Sequence, residues 1–192
     1  STMNMFLGGS SLTSLDLSNF ETSSLQKISN MFQSCASLIS IDLSNFHTSY
    51  LTDTSFLFDG CKKLQKINWK NWDTKGITAI SNMFQGCESL SSIDLSSFKT
   101  TSLTDMTRMF ANCSSLQEIK ANNYFDTSRV LSMSQLFQGC KSLINLNLSS
   151  FNTGWTMDMS YMFDGCTKLE NLILGFNTIN KFNMKQMFSY CI

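Results

Sequence analysis

Apolar positions along this chain obey one spacing rule, repeated from end to end. Phe6, Phe32, Phe58, Phe84, Phe110, Phe137, Phe163 and Phe188 each stand three residues before a landmark, which is Gly9 and then Cys35, Cys61, Cys87, Cys113, Cys140, Cys166 and Cys191. Three, six and eight residues after the landmark come Leu12, Leu15 and Leu17, then Leu38, Ile41 and Leu43, and the triplet recurs through Leu169, Leu172 and Leu174. Steps between cysteines are 26, 26, 26, 27, 26 and 25 residues. The longer step falls around Asn123 and Tyr124 and the shorter one near Phe176, so length varies where a loop follows the Leu triplet. A fixed period of this size marks a tandem-repeat architecture.

Two local periods alternate inside each unit. In Ser92-Ile93-Asp94-Leu95-Ser96 polar and apolar residues alternate, which predicts a short strand with Ile93 and Leu95 facing inward. Met106, Met109, Phe110 and Cys113 fall at i, i+3, i+4 and i+7, the stripe of a helix of roughly two turns. Ser102 or Thr104 would cap that helix, Asp105 suits its positive end, and Gly60, Gly86, Asn112, Gly139 and Gly165 suit a left-handed exit before each Cys. Ser34 and Tyr190 do not fit that exit. The fold expected is an α/β repeat solenoid, a leucine-rich-repeat-like curved rod of about seven 26-residue repeats. It would carry a parallel β-sheet on one side and short helices on the other, with residues 1–192 forming one domain.

A single unit cannot stand alone, because the burial it offers is smaller than the conformational entropy lost on fixing its backbone. Neighbours must supply the rest. The chain opens at Met5-Phe6-Leu7-Gly8 and closes at Phe188-Ser189-Tyr190-Cys191-Ile192, the same part of the unit, without a polar cap at either end. It is therefore expected to be a segment of a longer array or to abut other subunits.

Composition narrows the function. Fourteen Lys and Arg balance 14 Asp and Glu, which argues against a nucleic-acid reader. Hydrophobic residues make up 42% and charged residues only 15%, so the chain is no disordered tail, and Ser, Thr and Asn supply its polarity. No apolar run approaches the ~20 residues of a bilayer span, and Ser1-Thr2-Met3-Asn4 lacks the regions of a signal peptide.

The unit Met-Phe-Gln-Gly-Cys-Glu-Ser-Leu-Ser-Ser-Ile-Asp-Leu-Ser-Ser-Phe-Lys-Thr-Thr-Ser-Leu-Thr-Asp-Met at 83–106 resembles the repeat of BspA-like leucine-rich-repeat surface proteins, and the likeness covers essentially the whole chain. The resemblance implies an exported, cell-surface protein used in adhesion to hosts or neighbouring cells, with no catalytic residue. The chain departs from the pattern at Trp69 and Trp72, which replace Leu and Phe, at Gly154-Trp155-Thr156, and in its last unit.

Candidate sites follow from what the repeat leaves free. The strand's outward rows carry Asp16, Asp42, Asn68, Asp94, Lys120, Asn147 and Ile173, flanked by Ser14, Ser40, Lys66, Ser92, Glu118 and Asn145. Asp42, Lys66, Asn68, Lys70, Asp94, Glu118, Lys120, Asn145 and Asn147 are taken as the ligand-binding set of the strand-side face, for a protein or glycan partner. Asp16 and Asp42, two carboxylates on adjacent strands, must be solvated, hydrogen-bonded or bridged by a cation, and one row offers too few oxygens to make Ca²⁺ the favoured solution. No metal or other cofactor is expected.

Lys62, Lys63, Lys66, Lys70 and Lys75 with Trp69 and Trp72 form either a basic, aromatic contact patch or a solvated face beside two core indoles. Trp155 marks either a register shift or an exposed contact. The seven Cys, an odd number without C-x-x-C pairs, read as a buried thiol ladder, although stacking leaves an occasional bridge open. The only His, His47, has no repeated acid and nucleophile around it, which excludes an evident catalytic triad. The row Thr22, Thr48, Thr74, Thr100, Thr127, Thr153 and Thr178 is too periodic for an active site and is expected to bond loop backbone. The function expected is a non-catalytic recognition or adhesion module at the cell surface. The alternative is a structural element that self-associates end to end.

Overall fold

The computed structural model describes residues 3–177 and 182–191, so Thr178 lies outside the described residues. Its regular elements are six short strands, β1 (Ser40–Asp42), β2 (Lys66–Asn68), β3 (Ser92–Asp94), β4 (Glu118–Lys120), β5 (Asn145–Leu148) and β6 (Asn171–Leu174). All pairings are parallel and in the register of the repeat, with Ile41 beside Ile67, Ile93 beside Ile119 and Leu146 beside Leu172. Consecutive coils therefore stack as a solenoid. In place of one continuous sheet there are three two-stranded ladders, β1 with β2, β3 with β4 and β5 with β6.

The helices expected opposite the strands are not there: no described residue is helical. The segment before each Cys is a chain of tight turns, and its hydrogen bonds explain why. From Asn82 to Cys87 the amides alternate between two partners. Asn82, Phe84 and Gly86 donate to Thr107, Met109 and Ala111 of the next coil at 2.8 to 2.9 Å. Met83, Gln85 and Cys87 donate three residues back, to Ile80, Asn82 and Phe84. Linked turns repeat the i, i+3 spacing that also marks a helix, so the apolar pattern does not separate them. Energetics does: a two-turn helix would leave its first four N–H groups without partners, whereas the turns hand alternate donors to the neighbouring coil.

This winding needs left-handed backbone twice per coil. Gly60, Gly86, Asn112, Gly139 and Gly165 adopt it at the position before Cys, and so do Ser34 and Tyr190, against the expectation that they do not fit there: the turn and inter-coil hydrogen bonds impose the conformation whatever the side chain. The second position, five before Cys, is held by Asn30, Phe56, Asn82, Arg108, Gln135 and Tyr161, at φ of 57° to 59°. A left-handed conformation costs a non-glycine residue roughly 1–2 kcal/mol, so at Phe56 and Tyr161 contacts with adjacent coils must offset the strain.

Side chains stack as regularly as the backbone. The eight Phe rings form one column, from Phe6 on Phe32 to Phe163 on Phe188, with centroids 5.4 to 5.8 Å apart and planes within 11°. Each Cys thiol donates to the carbonyl of the Phe in the preceding coil, as Cys87 does to Phe58 at 3.2 Å and Cys113 to Phe84 at 3.0 Å. That carbonyl also accepts the amide of its own coil's Cys, so one oxygen joins two coils. No described Cys is in a disulfide. The Thr row works across coils too: the hydroxyl of Thr48 accepts from Asp73 N at 2.7 Å, and that of Thr127 accepts from Asn152 N at 2.8 Å and donates to Asn152 O at 3.0 Å. Thus the Thr hydroxyls bind backbone, that of the next coil. Among the described residues no helix is long and apolar enough to cross a membrane.

Two outcomes test the columns. Phe110→Ala removes one buried ring between Phe84 and Phe137, and unfolding in denaturant is expected to show a loss of about 3–5 kcal/mol. Burial pushes the Cys166 thiol up to about 12 from an ordinary 9.0, and raises Cys87 and Cys140 as well. The unfolded chain therefore gives up these protons first as pH rises. Stability is fully present below about pH 9 and is lost progressively toward the raised folded values, which denaturant midpoints across that range will show.

Candidate functional site

The strand side presents the residues that the coil does not use. In each three-residue strand the middle side chain turns inward and the outer two face solvent, as in β1 with Ser40 and Asp42 outward and Ile41 buried. Parallel register aligns these outer residues across coils: Ser40 with Lys66 and Asp42 with Asn68, Ser92 with Glu118 and Asp94 with Lys120, Asn145 with Asn171 and Asn147 with Ile173. Two open depressions lie on this face. The first, about 650 Å³, is lined by Asp42, Lys66, Asn68 and Asp94. The second, about 760 Å³, is lined by Glu118, Lys120, Asn145 and Asn147. Lys70 lines neither. Asn122, Asn123 and Asn171 join the second depression. Sequence reading passed over them, although Asn171 stands one period after Asn145 in the same row.

The carboxylates of the acidic row are hydrogen-bonded within their own turns. Asp42 accepts from Ser44 N at 2.8 Å and Ser44 Oγ at 2.6 Å, and Asp94 does the same with Ser96. Asp16 accepts from Ser18 N at 2.9 Å. These Asx turns bend the chain out of the strand, and hydrogen bonds to the ionised form favour it. The Ser44 hydroxyl and amide, with Asn68, hold Asp42 below the usual carboxylate range, and the Ser96 hydroxyl and amide do so for Asp94. Between coils, Asn68 Nδ2 donates to Asp42 Oδ2 at 2.9 Å, and Asn171 Nδ2 to Asn145 Oδ1 at 2.7 Å. Of the solutions expected for adjacent Asp residues, Asp16 and Asp42 show hydrogen bonding, each within its own turn. Among the described residues no three His, Cys, Asp or Glu gather as they would around a metal.

The third coil's basic patch loses its aromatic half. Trp69 and Trp72 are both buried, at 7% and 6% exposure, filling the Leu and Phe positions. Their indoles bond across coils, Trp69 Nε1 to Asp94 O at 3.2 Å and Trp72 Nε1 to Leu43 O at 3.0 Å. At the corresponding place in other coils the backbone amide of Leu43 or Leu95 reaches the next strand. Lys66 and Lys70 stay exposed, while Lys62 pairs with Glu88 at 3.1 Å. Lys120 lies 3.7 Å from Glu118 in its own strand. His47 is exposed, its backbone amide donating to Thr22 Oγ1, with no acid among its hydrogen-bond partners.

The chain was compared with known proteins. The family described as "Mycoplasma protein of unknown function, DUF285" matches residues 1–60, 38–124 and 117–192. No curated protein sequence matches. Among solved structures, a leucine rich cell surface protein from Faecalibacterium prausnitzii A2-165 aligns with a TM-score of 0.58 at 17% identity, covering 84% of this chain and 42% of that one. A leucine-rich repeat protein from Eubacterium ventriosum ATCC 27560 aligns with a TM-score of 0.50 at 17% identity, covering 79% and 49%. The chain spans less than half the length of either. These likenesses show a leucine-rich-repeat solenoid fold, in keeping with the resemblance carried by the repeat.

The Asx turns make the row's chemistry measurable. In carboxyl NMR titrations Asp42 and Asp94 are expected to ionise below 3.8, with Ser44→Ala raising Asp42 alone and Ser96→Ala raising Asp94 alone. The stability these groups contribute is present above that value and lost as pH falls through their lowered folded values.

Proposed function

For a chain that belongs to the DUF285 family, we propose that it acts as a non-catalytic recognition module at the cell surface. It binds a protein or glycan on a host or neighbouring cell through the strand-side face.

One observation carries this reading. Within this single sequence, inward positions repeat coil after coil as Phe, Cys, Leu and Thr, while the outward positions of the same strands read Ser40 and Asp42, Lys66 and Asn68, Ser92 and Asp94, Glu118 and Lys120, then Asn145 and Asn147. The stack needs the first set and tolerates any soluble residue in the second, so ligand specificity can be written there without disturbing the fold. The face is charged around Asp42, Lys66 and Asp94 and becomes amide-rich around Asn145 and Asn147. A large surface of alternating charge and amide groups selects a partner by complementarity over several coils. Both depressions are open, and neither is lined by a His that could serve one of its serines as base. An extracellular location rests on the likeness to cell-surface proteins and on a surface rich in Ser, Thr and Asn.

The test is a binding screen of the whole chain against immobilised extracellular-matrix proteins and a glycan array, in parallel with Lys66→Glu/Lys70→Glu/Lys120→Glu. Charge reversal at a complementary interface is expected to weaken capture at least tenfold, with unchanged thermal stability because all three side chains are exposed. Equal binding by both proteins would remove this face from the function.

A further inference from the structure

The solenoid also has a flank, after the buried Thr of each coil, where the repeats act as controls for one another. Thr52, Thr78 and Thr104 occupy one column, and each hydroxyl donates to the preceding coil, at 3.3, 3.0 and 3.0 Å. In the next two coils the same column holds Leu131 and Met157. The backbone is unchanged: Leu131 N donates to Thr104 O and Met157 N to Leu131 O, both at 2.8 Å. Folding thus has no need of apolar residues here, yet Leu131 is 38% and Met157 62% exposed. Beside them, Arg129 and Trp155 are neighbours in a parallel column where other coils carry Ser24, Tyr50, Gly76 or Ser102. Tyr50 is 66% and Trp155 72% exposed, but Tyr50 stands next to Thr52 and only Arg129 and Trp155 stand next to the apolar Leu131 and Met157. A groove of about 750 Å³ is lined by Thr104, Ser128, Arg129, Leu131, Asn152 and Trp155, and Met157 follows Leu131 in its column outside the groove.

We infer that Arg129, Leu131, Trp155 and Met157 form a second contact site, which takes an extended peptide segment of a protein partner through an apolar side chain lying next to a carboxylate. The composition supports a protein: Trp and Arg dominate binding hot spots, and an unbranched, polarizable Met adapts to the chain laid on it. The charge supports an acid. Arg129 is exposed and forms no ion pair among the described residues. Asp126, the acid three residues before it, accepts from Ser128 N. Recognition must run through side chains, because the amides of Leu131 and Met157 are committed to coil stacking and no open strand edge is offered. A sugar finds less here, since Asn152 Oδ1 is taken by Gly154 N at 2.9 Å and Leu131 gives the groove an aliphatic wall.

The experiment is a random-peptide display selection on the intact chain, run in parallel on Leu131→Thr/Trp155→Ser/Met157→Thr. Each replacement is a residue found elsewhere in the same columns, so the variant should fold, and its unfolding midpoint checks that. Enriched peptides are expected to place Asp or Glu beside a large apolar residue. Synthetic versions should alter the fluorescence of Trp155, the exposed one of the three indoles, and bind the triple variant and Arg129→Glu at least tenfold more weakly. Lys66→Glu/Lys70→Glu/Lys120→Glu should bind these peptides normally, so this site and the strand-face reading can fail separately. Three results would overturn the inference: enrichment equal on wild type and triple variant, self-association of the chain that the triple variant abolishes, or Trp155-dependent binding to a glycan array without peptide selection.

Discussion

In this protein the backbone amides are divided between two clients, and the division governs the rest of the structure. Before each Cys, one amide closes a turn within its own coil and the next crosses to the neighbouring coil. A coil on its own would therefore leave half of these donors to water, and a neighbour that failed to accept them would bury each one unpaired at a cost of about 1–3 kcal/mol. Stability belongs to contacts between coils. The side chains follow the same logic, because the Phe carbonyl receives an amide from its own Cys and a thiol from the next, and the Thr hydroxyl reaches backbone one coil away.

This explains why the cysteines recur without chemistry of their own. Each is small enough for the interior, apolar enough to stay there, and able to donate one hydrogen bond to an oxygen with a spare lone pair. Burial then suppresses thiolate formation, as it does for Cys87 and Cys140. A residue type often associated with metal or redox function serves here as a stacking device. The same holds for Trp69, whose indole N–H carries a bond between coils while its ring fills a Leu slot.

A fold held together by repeated inward columns leaves its outward columns free to differ. Identical backbones carry Lys66, Glu118 or Asn145 on the strand face, and Thr104, Leu131 or Met157 on the flank. Function in such a molecule is written as departures from the period. The departures that matter are those that the backbone ignores and solvent sees. Trp72 is a departure the core absorbs, and Trp155 is one it leaves outside.

Period, inward positions and strand register were legible in the sequence, because they follow from side chains that must meet their own kind at a fixed interval. The rows of Asp42, Asn68, Asp94 and Lys120 came from the same alternation. Three things were not legible. Turns and a short helix share an i, i+3 apolar spacing, so only the partners of the amides could tell them apart. The pairing of strands in twos depends on which donor each coil sends across, a matter of local geometry around residues such as Trp69. Whether an aromatic ring faces core or solvent at Trp69, Trp72 and Trp155 depends on the space left by adjacent coils, and a linear pattern carries no measure of that space. The sequence by itself determined which residues repeat and therefore stack. The tertiary structure decided how each backbone bond is spent and which exceptions remain at the surface, because both depend on the neighbouring coil.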